Sequence, residues 1–201
     1  MERIILASES PRRKALLSQA GIEYTVIPSN IDESDIMNEE FSPYETVKTL
    51  SARKAMHVCG QLTENALIIA ADTVVALQGL VLGKPQDADE AREMLRFLQG
   101  KLHSVYTGVT LIHKVEDGLT LKYIVDNTSV RMRPLTDAEI QAYIDTGEPF
   151  GKAGAYAIQE RGSLLVESIE GDYNTVVGLP LVKVYQVLQG FGVSLPSLWT
   201  K

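Results

Sequence analysis

The chain is poor in the residues that mark several common classes of protein. It has one cysteine, Cys59, among 201 residues. No internal disulfide can form, which fits a reducing compartment, and Cys59, near the end of a predicted helix, reads as a small, partly buried hydrophobe. The three histidines, His57, His103 and His113, are scattered. They offer no clustered zinc site, and each reads as structural or exposed. No apolar run reaches membrane-spanning length. The N-terminus passes straight into a strand pattern with no signal-peptide cleavage region. The expectation is a soluble, cytoplasmic protein with no membrane partner. Positive charge is also scarce: 19 Lys and Arg face 26 Asp and Glu, a formal net charge of −7. Such a chain lacks the basic face that non-specific nucleic-acid binding needs, so any polyanion must be met by a few placed cations. No Gly-x-Gly-x-x-Gly follows the first strand pattern and no Walker loop appears, which disfavours dinucleotide and P-loop readings.

Hydrophobic residues make up 45% of the chain, ample for a core, and the length suits one domain. That domain is expected over residues 1–190, with 191–201 as a loose tail. Strand and helix patterns alternate without repeats, which points to an α/β fold. Strands are predicted at 4–7, 24–27, 67–77, 103–112, 123–132 and 164–169, with Asp117-Gly118 as a hairpin signal. Ser42-Pro43-Tyr44-Glu45 and Thr136-Asp137-Ala138-Glu139 are capping boxes that open helices. Further helices are predicted from about Asp87 to Gln99 and from Pro180 to Gly190.

Three features carry chemistry. The first is Ser8-Glu9-Ser10-Pro11-Arg12-Arg13, between an apolar strand and a helix. Ser10 suits the N-cap and Pro11 the first helical position. Two hydroxyls and two arginines thus sit at a helix N-terminus, where the backbone already favours anions. The stretch reads equally as a polyphosphate grip and as an ordinary capped surface helix. The second is Lys54, which falls on the apolar stripe Val47, Leu50 and Val58. It either snorkels along the core to solvent or reaches an anion in a cleft. The third is Asp72-Thr73, which interrupts a near-continuous apolar run. A carboxylate in a buried strand is costly unless paired, hydrogen-bonded or metal-bound, and functional sites are where that cost is tolerated. In addition, the small residues of Gly151–Gln159 permit close backbone approach to a ligand or strand. Lys152 either touches substrate there or caps a loop.

Taken together, Leu6–Arg13, Ile31-Asp32-Glu33, Ala52–Ala55, Ala71–Val75, Gly83-Lys84-Pro85, Gly151–Gln159 and Val177–Pro180 resemble, in order, the motifs of the Maf family of house-cleaning nucleoside triphosphate pyrophosphatases. The resemblance implies an elongated, two-lobed α/β fold of the inosine-triphosphatase type. It would have a twisted central mixed sheet flanked by helices, a cleft between lobes, and homodimers. It also implies hydrolysis of a nucleoside triphosphate to the monophosphate and pyrophosphate with a divalent cation, Mg²⁺ or Mn²⁺. Asp72 would be the proton acceptor, and Arg12, Thr73 and Gln159 the specificity residues, in the pattern of the branch acting on dTTP and UTP. Ser8, Ser10, Arg13, Lys54 and Lys84 are expected on the triphosphate, and Glu33 on metal or water. The metal ligands are not specified. An alternative function is a nucleotide-responsive regulator of cell division, acting by binding in septum formation.

Overall fold

The apolar run at the middle of the chain forms the longest buried strand and organises the rest. In the computed structural model, which describes residues 2–37 and 39–199, β3 (Ala66–Leu77) is buried at all but two positions. A strand covered on both faces needs an apolar run rather than an alternating pattern. On one side β3 pairs in parallel with β1 (Ile4–Leu6), which pairs in parallel with the two-residue β2 (Thr25–Val26). On the other it pairs antiparallel with β5 (Leu102–Val115), then β6 (Gly118–Met132), then β7 (Val166–Glu170). The short β4 (Leu80–Leu82) folds back on the end of β3. The resulting mixed seven-stranded sheet has the order β2-β1-β3-β5-β6-β7, with β4 beside β3.

Alternation along β3 sorts the core into two faces. Leu67, Ile69 and Ala71 pack with α1 (Pro11–Gln19), α7 (Leu181–Gly190), Val177 and Leu179. Ile68 and Ala70 pack against Ala55, Val58 and Cys59 of α3 (Pro43–Gln61). At the far end, Val75 and Leu77 join a third cluster with α4 (Ala88–Leu98) and α5 (Asp137–Asp145). Both capping boxes are formed, at Ser42 with Glu45 and at Thr136 with Glu139.

Several boundaries differ from the sequence reading. β5 and β6 are longer, because pairing each other supplies ladder bonds beyond the apolar stretches, and their turn is centred on Glu116-Asp117 rather than Asp117-Gly118. Residues 160–164 wind into a 3-10 turn, so β7 starts at Val166. The expected loose tail is also corrected. Leu195–Trp199 form α8 (α2 is Ser34–Met37 and α6 is Tyr173–Val177). Val193 and Leu198 are buried in the core, and the Trp199 indole donates to the Ala20 carbonyl at 2.9 Å.

Candidate active site

The site lies where the edge of β3 loses its neighbours. β1 accompanies β3 only as far as Ile69, and β4 joins from Val75. Between those points Asp72 and Thr73 face a notch flanked by the chain leaving β1 and the chain leaving β4. The notch opens into a cavity of about 380 Å³. Ser8, Ser10, Arg12, Arg13, Glu33, Lys54, Asp72, Thr73, Lys84 and Gln159 all line it. The structure therefore brings every sequence-selected site residue onto one surface.

Neighbouring residues of a strand point to opposite faces, and this divides the site in two. Asp72 shares the face of Ile68 and Ala70, against α3. There Lys54 donates to Asp72 Oδ1, and its ammonium also meets Glu33 Oε1 at 2.7 Å. Glu33 Oε2 lies 3.6 Å from Lys84 Nζ. Asp72, Lys54, Glu33 and Lys84 thus alternate in charge from the sheet to the cleft rim. Asp72 and Lys54 are only 6% and 7% exposed, so each offsets the other's desolvation. Lys54 does not snorkel to solvent: it is buried against two carboxylates of the chain itself.

Thr73 shares the face of α1. Its hydroxyl meets Arg13 Nη2 at 3.1 Å and the Thr107 hydroxyl at 2.9 Å. Thr107 in turn donates to the Thr175 carbonyl at 2.7 Å. The Arg13 guanidinium also donates from Nε to the Gly178 carbonyl at 2.9 Å and from Nη1 to Ser8 Oγ at 3.3 Å. Arg13 is therefore pinned as well as poised. Burial lowers its pKa first, partly countered by Asp72 and reinforced by Arg12; it stays charged. Ser10 caps α1 by accepting from the Arg13 amide at 3.5 Å, and Ser8 Oγ accepts from the Ser10 amide at 3.2 Å. Arg12 feels burial too, set against Glu160 and the Tyr143 phenol. Lys152 caps a loop, donating to the Glu148 carbonyl.

Sequence reasoning missed two residues that build this site. Gly108 pairs in register with Asp72. A Cβ there would meet the Val47 carbonyl oxygen at 2.4 Å, so its absence lets α3 sit directly on β5 and bring Lys54 to Asp72. A lone glycine inside a strand pattern was the available signal. Glu148 is the other. Its buried side chain accepts from the Tyr143 hydroxyl at 3.0 Å, the Gly162 amide at 2.9 Å and the Arg161 amide at 3.2 Å. Nothing local in the sequence distinguishes it from a surface glutamate.

Among the described residues, the cleft carries five cationic side chains (Arg12, Arg13, Lys54, Lys84 and Lys152) against three carboxylates (Glu9, Glu33 and Asp72). In an acidic chain this is a local positive excess, the field a polyanion seeks. A buried carboxylate at the base of such a cleft suits phosphoanhydride hydrolysis, where one group accepts a proton and cations receive the leaving charge.

Fold and cleft together define a mixed-sheet α/β protein with a polyanion site at a sheet-edge notch. The chain belongs to the Maf-like protein family, whose model matches residues 3–191. A relative from Thermoanaerobacter sp. strain X514 is 49% identical over 93% of this chain and 95% of its own length; it is named a dTTP/UTP pyrophosphatase. Relatives with that name from Caldicellulosiruptor bescii and Moorella thermoacetica are 49% and 47% identical, each over 97% of this chain and 98% of their own. A solved structure of the Staphylococcus aureus Ham1 protein is similar in fold alone. It has a TM-score of 0.50 at 14% identity, over 94% of this chain and all of that one.

Proposed function

We propose that this chain is a nucleoside triphosphate pyrophosphatase that hydrolyses dTTP and UTP to the monophosphate and pyrophosphate. The observation that carries the reading is Asp72, a buried carboxylate on a strand edge, set in a cleft with an excess of cations. Cleavage between the α- and β-phosphates needs a water aimed at the α-phosphorus, a group to take its proton, and positive charge for the departing pyrophosphate. Lys54 occupies Asp72 Oδ1, and among the described residues no hydrogen-bond partner holds Oδ2, which is the oxygen left to orient and deprotonate water. Arg13 and Lys84 supply positive charge to the triphosphate, the first as a fixed fork and the second as an exposed point charge.

A divalent cation belongs to this proposal. Asp72 and Glu33 converge on one ammonium, so two hard oxygen donors already surround one point. Among the described residues no cluster of three or more His, Cys, Asp or Glu forms a complete metal site. That donor set suits Mg²⁺ or Mn²⁺, held by one or two carboxylates with phosphate oxygens and water completing the shell. When bound, the ion would neutralise charge that develops on the leaving phosphates.

Base choice follows from donor inventories. Uracil and thymine present two carbonyl acceptors flanking one N–H. Arg12 only donates, whereas Gln159 both donates and accepts, and both line the cleft. Cytosine's amino group would face the donor-only arginine. By analogy with base readout in nucleic acids, one good bidentate pair is worth about 1–3 kcal/mol. The homodimer and cytoplasmic setting implied by the family resemblance are part of the same proposal; among the described residues, no helix is long and apolar enough to cross a membrane.

A panel of nucleoside triphosphates with product analysis tests the reading. Pyrophosphate released from dTTP and UTP in preference to other nucleotides is expected. Orthophosphate as the first product would place cleavage at the wrong bond and overturn it.

A further inference from the structure

We infer that Glu148 is a positioning residue for base selection: it ties down both ends of the segment that carries Gln159, without itself lining the cleft. The inference rests on the proposed pyrimidine specificity for its chemistry and on the following geometry for its mechanism.

Residues 157–162 run from a short loop into the 3-10 turn that begins at Glu160, and present Gln159 to the cavity between them. At the far end, the amides of Arg161 and Gly162 donate to Glu148 Oε2 and Oε1. At the near end, the Ala157 amide donates to the Tyr143 hydroxyl at 3.3 Å, and that hydroxyl donates to Glu148 Oε1 at 3.0 Å. One buried carboxylate therefore holds both ends. No ion pair within salt-bridge distance reaches Glu148 among the described residues, so these hydrogen bonds, with the nearby charge of Lys152, offset its desolvation cost.

The loop is held in a shape it would not adopt unaided. Glu160, next to Gln159, has a φ of +55°, a conformation a non-glycine residue keeps only when its surroundings impose it. A Cβ on Gly162 would meet the Ala157 carbonyl oxygen at 2.2 Å and the Tyr143 hydroxyl at 2.7 Å, so the ends close without clearance. Burial is the main influence on Arg12, the other residue assigned to the base, and Glu160 and Tyr143 partly oppose it. Such pre-ordering matters because a polar contact discriminates only when its geometry is fixed before the ligand arrives.

The test uses Glu148→Gln, Gln159→Ala and the double variant of the full chain. Glutamine preserves shape, but its amide nitrogen cannot accept the bonds one carboxylate oxygen takes. The readout is the ratio of kcat/KM between the best and the poorest of UTP, CTP, dTTP and GTP. Glu148→Gln is expected to lower that ratio at least about fivefold, mainly by raising KM for the favoured nucleotide. The double variant should show no loss of selectivity beyond Gln159→Ala, because Glu148 acts through Gln159. If Glu148→Gln fails to fold, Tyr143→Phe, which removes only the phenolic link, carries the same comparison. An equal loss for all nucleotides, or additive losses in the double variant, would make Glu148 merely structural and overturn the inference. If the unmodified protein prefers another base, the proposed specificity fails, while the clamp is still judged by the ratio. If it releases pyrophosphate from none, the ratio is read from equilibrium binding of the same nucleotides.

Discussion

Replacing Asp72 by asparagine separates catalysis from folding at this site. The change removes one negative charge from a group 6% exposed and bonded to Lys54. Breaking a buried ion pair outright costs about 3–5 kcal/mol, because the partner is left charged and alone. Here Lys54 keeps Glu33 at 2.7 Å, and the asparagine carbonyl can still accept a hydrogen bond. The cost should therefore fall to about 1–3 kcal/mol, a drop of roughly 2–12 °C in Tm for a chain of this size. The folded state survives. Activity does not: loss of a general base typically removes about 10²–10⁴ of the rate. KM for dTTP should hold or fall, since a negative charge beside the triphosphate has gone. The assay is pyrophosphate release from dTTP at saturating Mg²⁺, with a thermal melt on the same sample. A folded Asp72→Asn protein with kcat within about threefold of the unmodified enzyme would refute the assignment. So would a raised KM with kcat unchanged, which would make Asp72 a binding group.

Two further predictions follow from the geometry. Gly108→Ala puts a methyl group against the Val47 backbone at 2.4 Å, so α3 must lift from the sheet. The expected result is a loss of about 1–3 kcal/mol together with weakened turnover, because Lys54 rides on α3; full activity with unchanged urea unfolding would sink this account. His103 gives a pH dependence. Burial lowers its pKa from 6.5 to about 4, while its Nε2 sits 2.7 Å from the Tyr156 hydroxyl. The fold holds it neutral and the unfolded chain protonates it, so stability falls as pH drops through the window from 6.5 to about 4. The loss from this group is at most roughly 3 kcal/mol and saturates below the window. Urea titrations of His103→Asn should show a shallower decline between those limits than the unmodified protein; identical slopes would count against a buried neutral imidazole.

What the sequence revealed depended on how local the cause was. The capping boxes at Ser42 and Thr136 are made by residues three apart, so they were legible. So was β3, whose apolar run has no other economical reading. That the ten site residues would share one cleft was legible because each breaks a local rule or sits in a motif: a carboxylate in a buried strand, a lysine on an apolar stripe, arginines behind a cap. What escaped detection was set by distant parts of the chain. β2 is two residues long because β1 offers only three residues to pair with. α8 exists because Leu198 finds the core and Trp199 finds a carbonyl of Ala20. Glu148 becomes a buried acceptor only once Tyr143 and Gly162 fold around it.

The free site is a set of charges that already satisfy one another, and this bears on how it would handle a triphosphate. Lys54 is shared by Asp72 and Glu33, and Lys84 leans on Glu33. Arg13 spends its donors on Ser8, Thr73 and the Gly178 carbonyl. Without these partners, cations held this close would repel one another and raise the cost of folding the cleft. With them, the site is pre-organised, and binding becomes an exchange of partners rather than an assembly. A triphosphate entering with its divalent ion brings both signs. Its phosphate oxygens can take over from Glu33 at the lysines, and Glu33, so released, would be available to help hold a divalent ion, which would supply positive charge to the phosphates. Asp72 is the member that cannot leave, because β3 fixes its backbone opposite Gly108 of β5. A group that stays while its neighbours change partners is the one suited to hold the attacking water, whereas Lys84, exposed at the rim, is suited to the first encounter with the nucleotide.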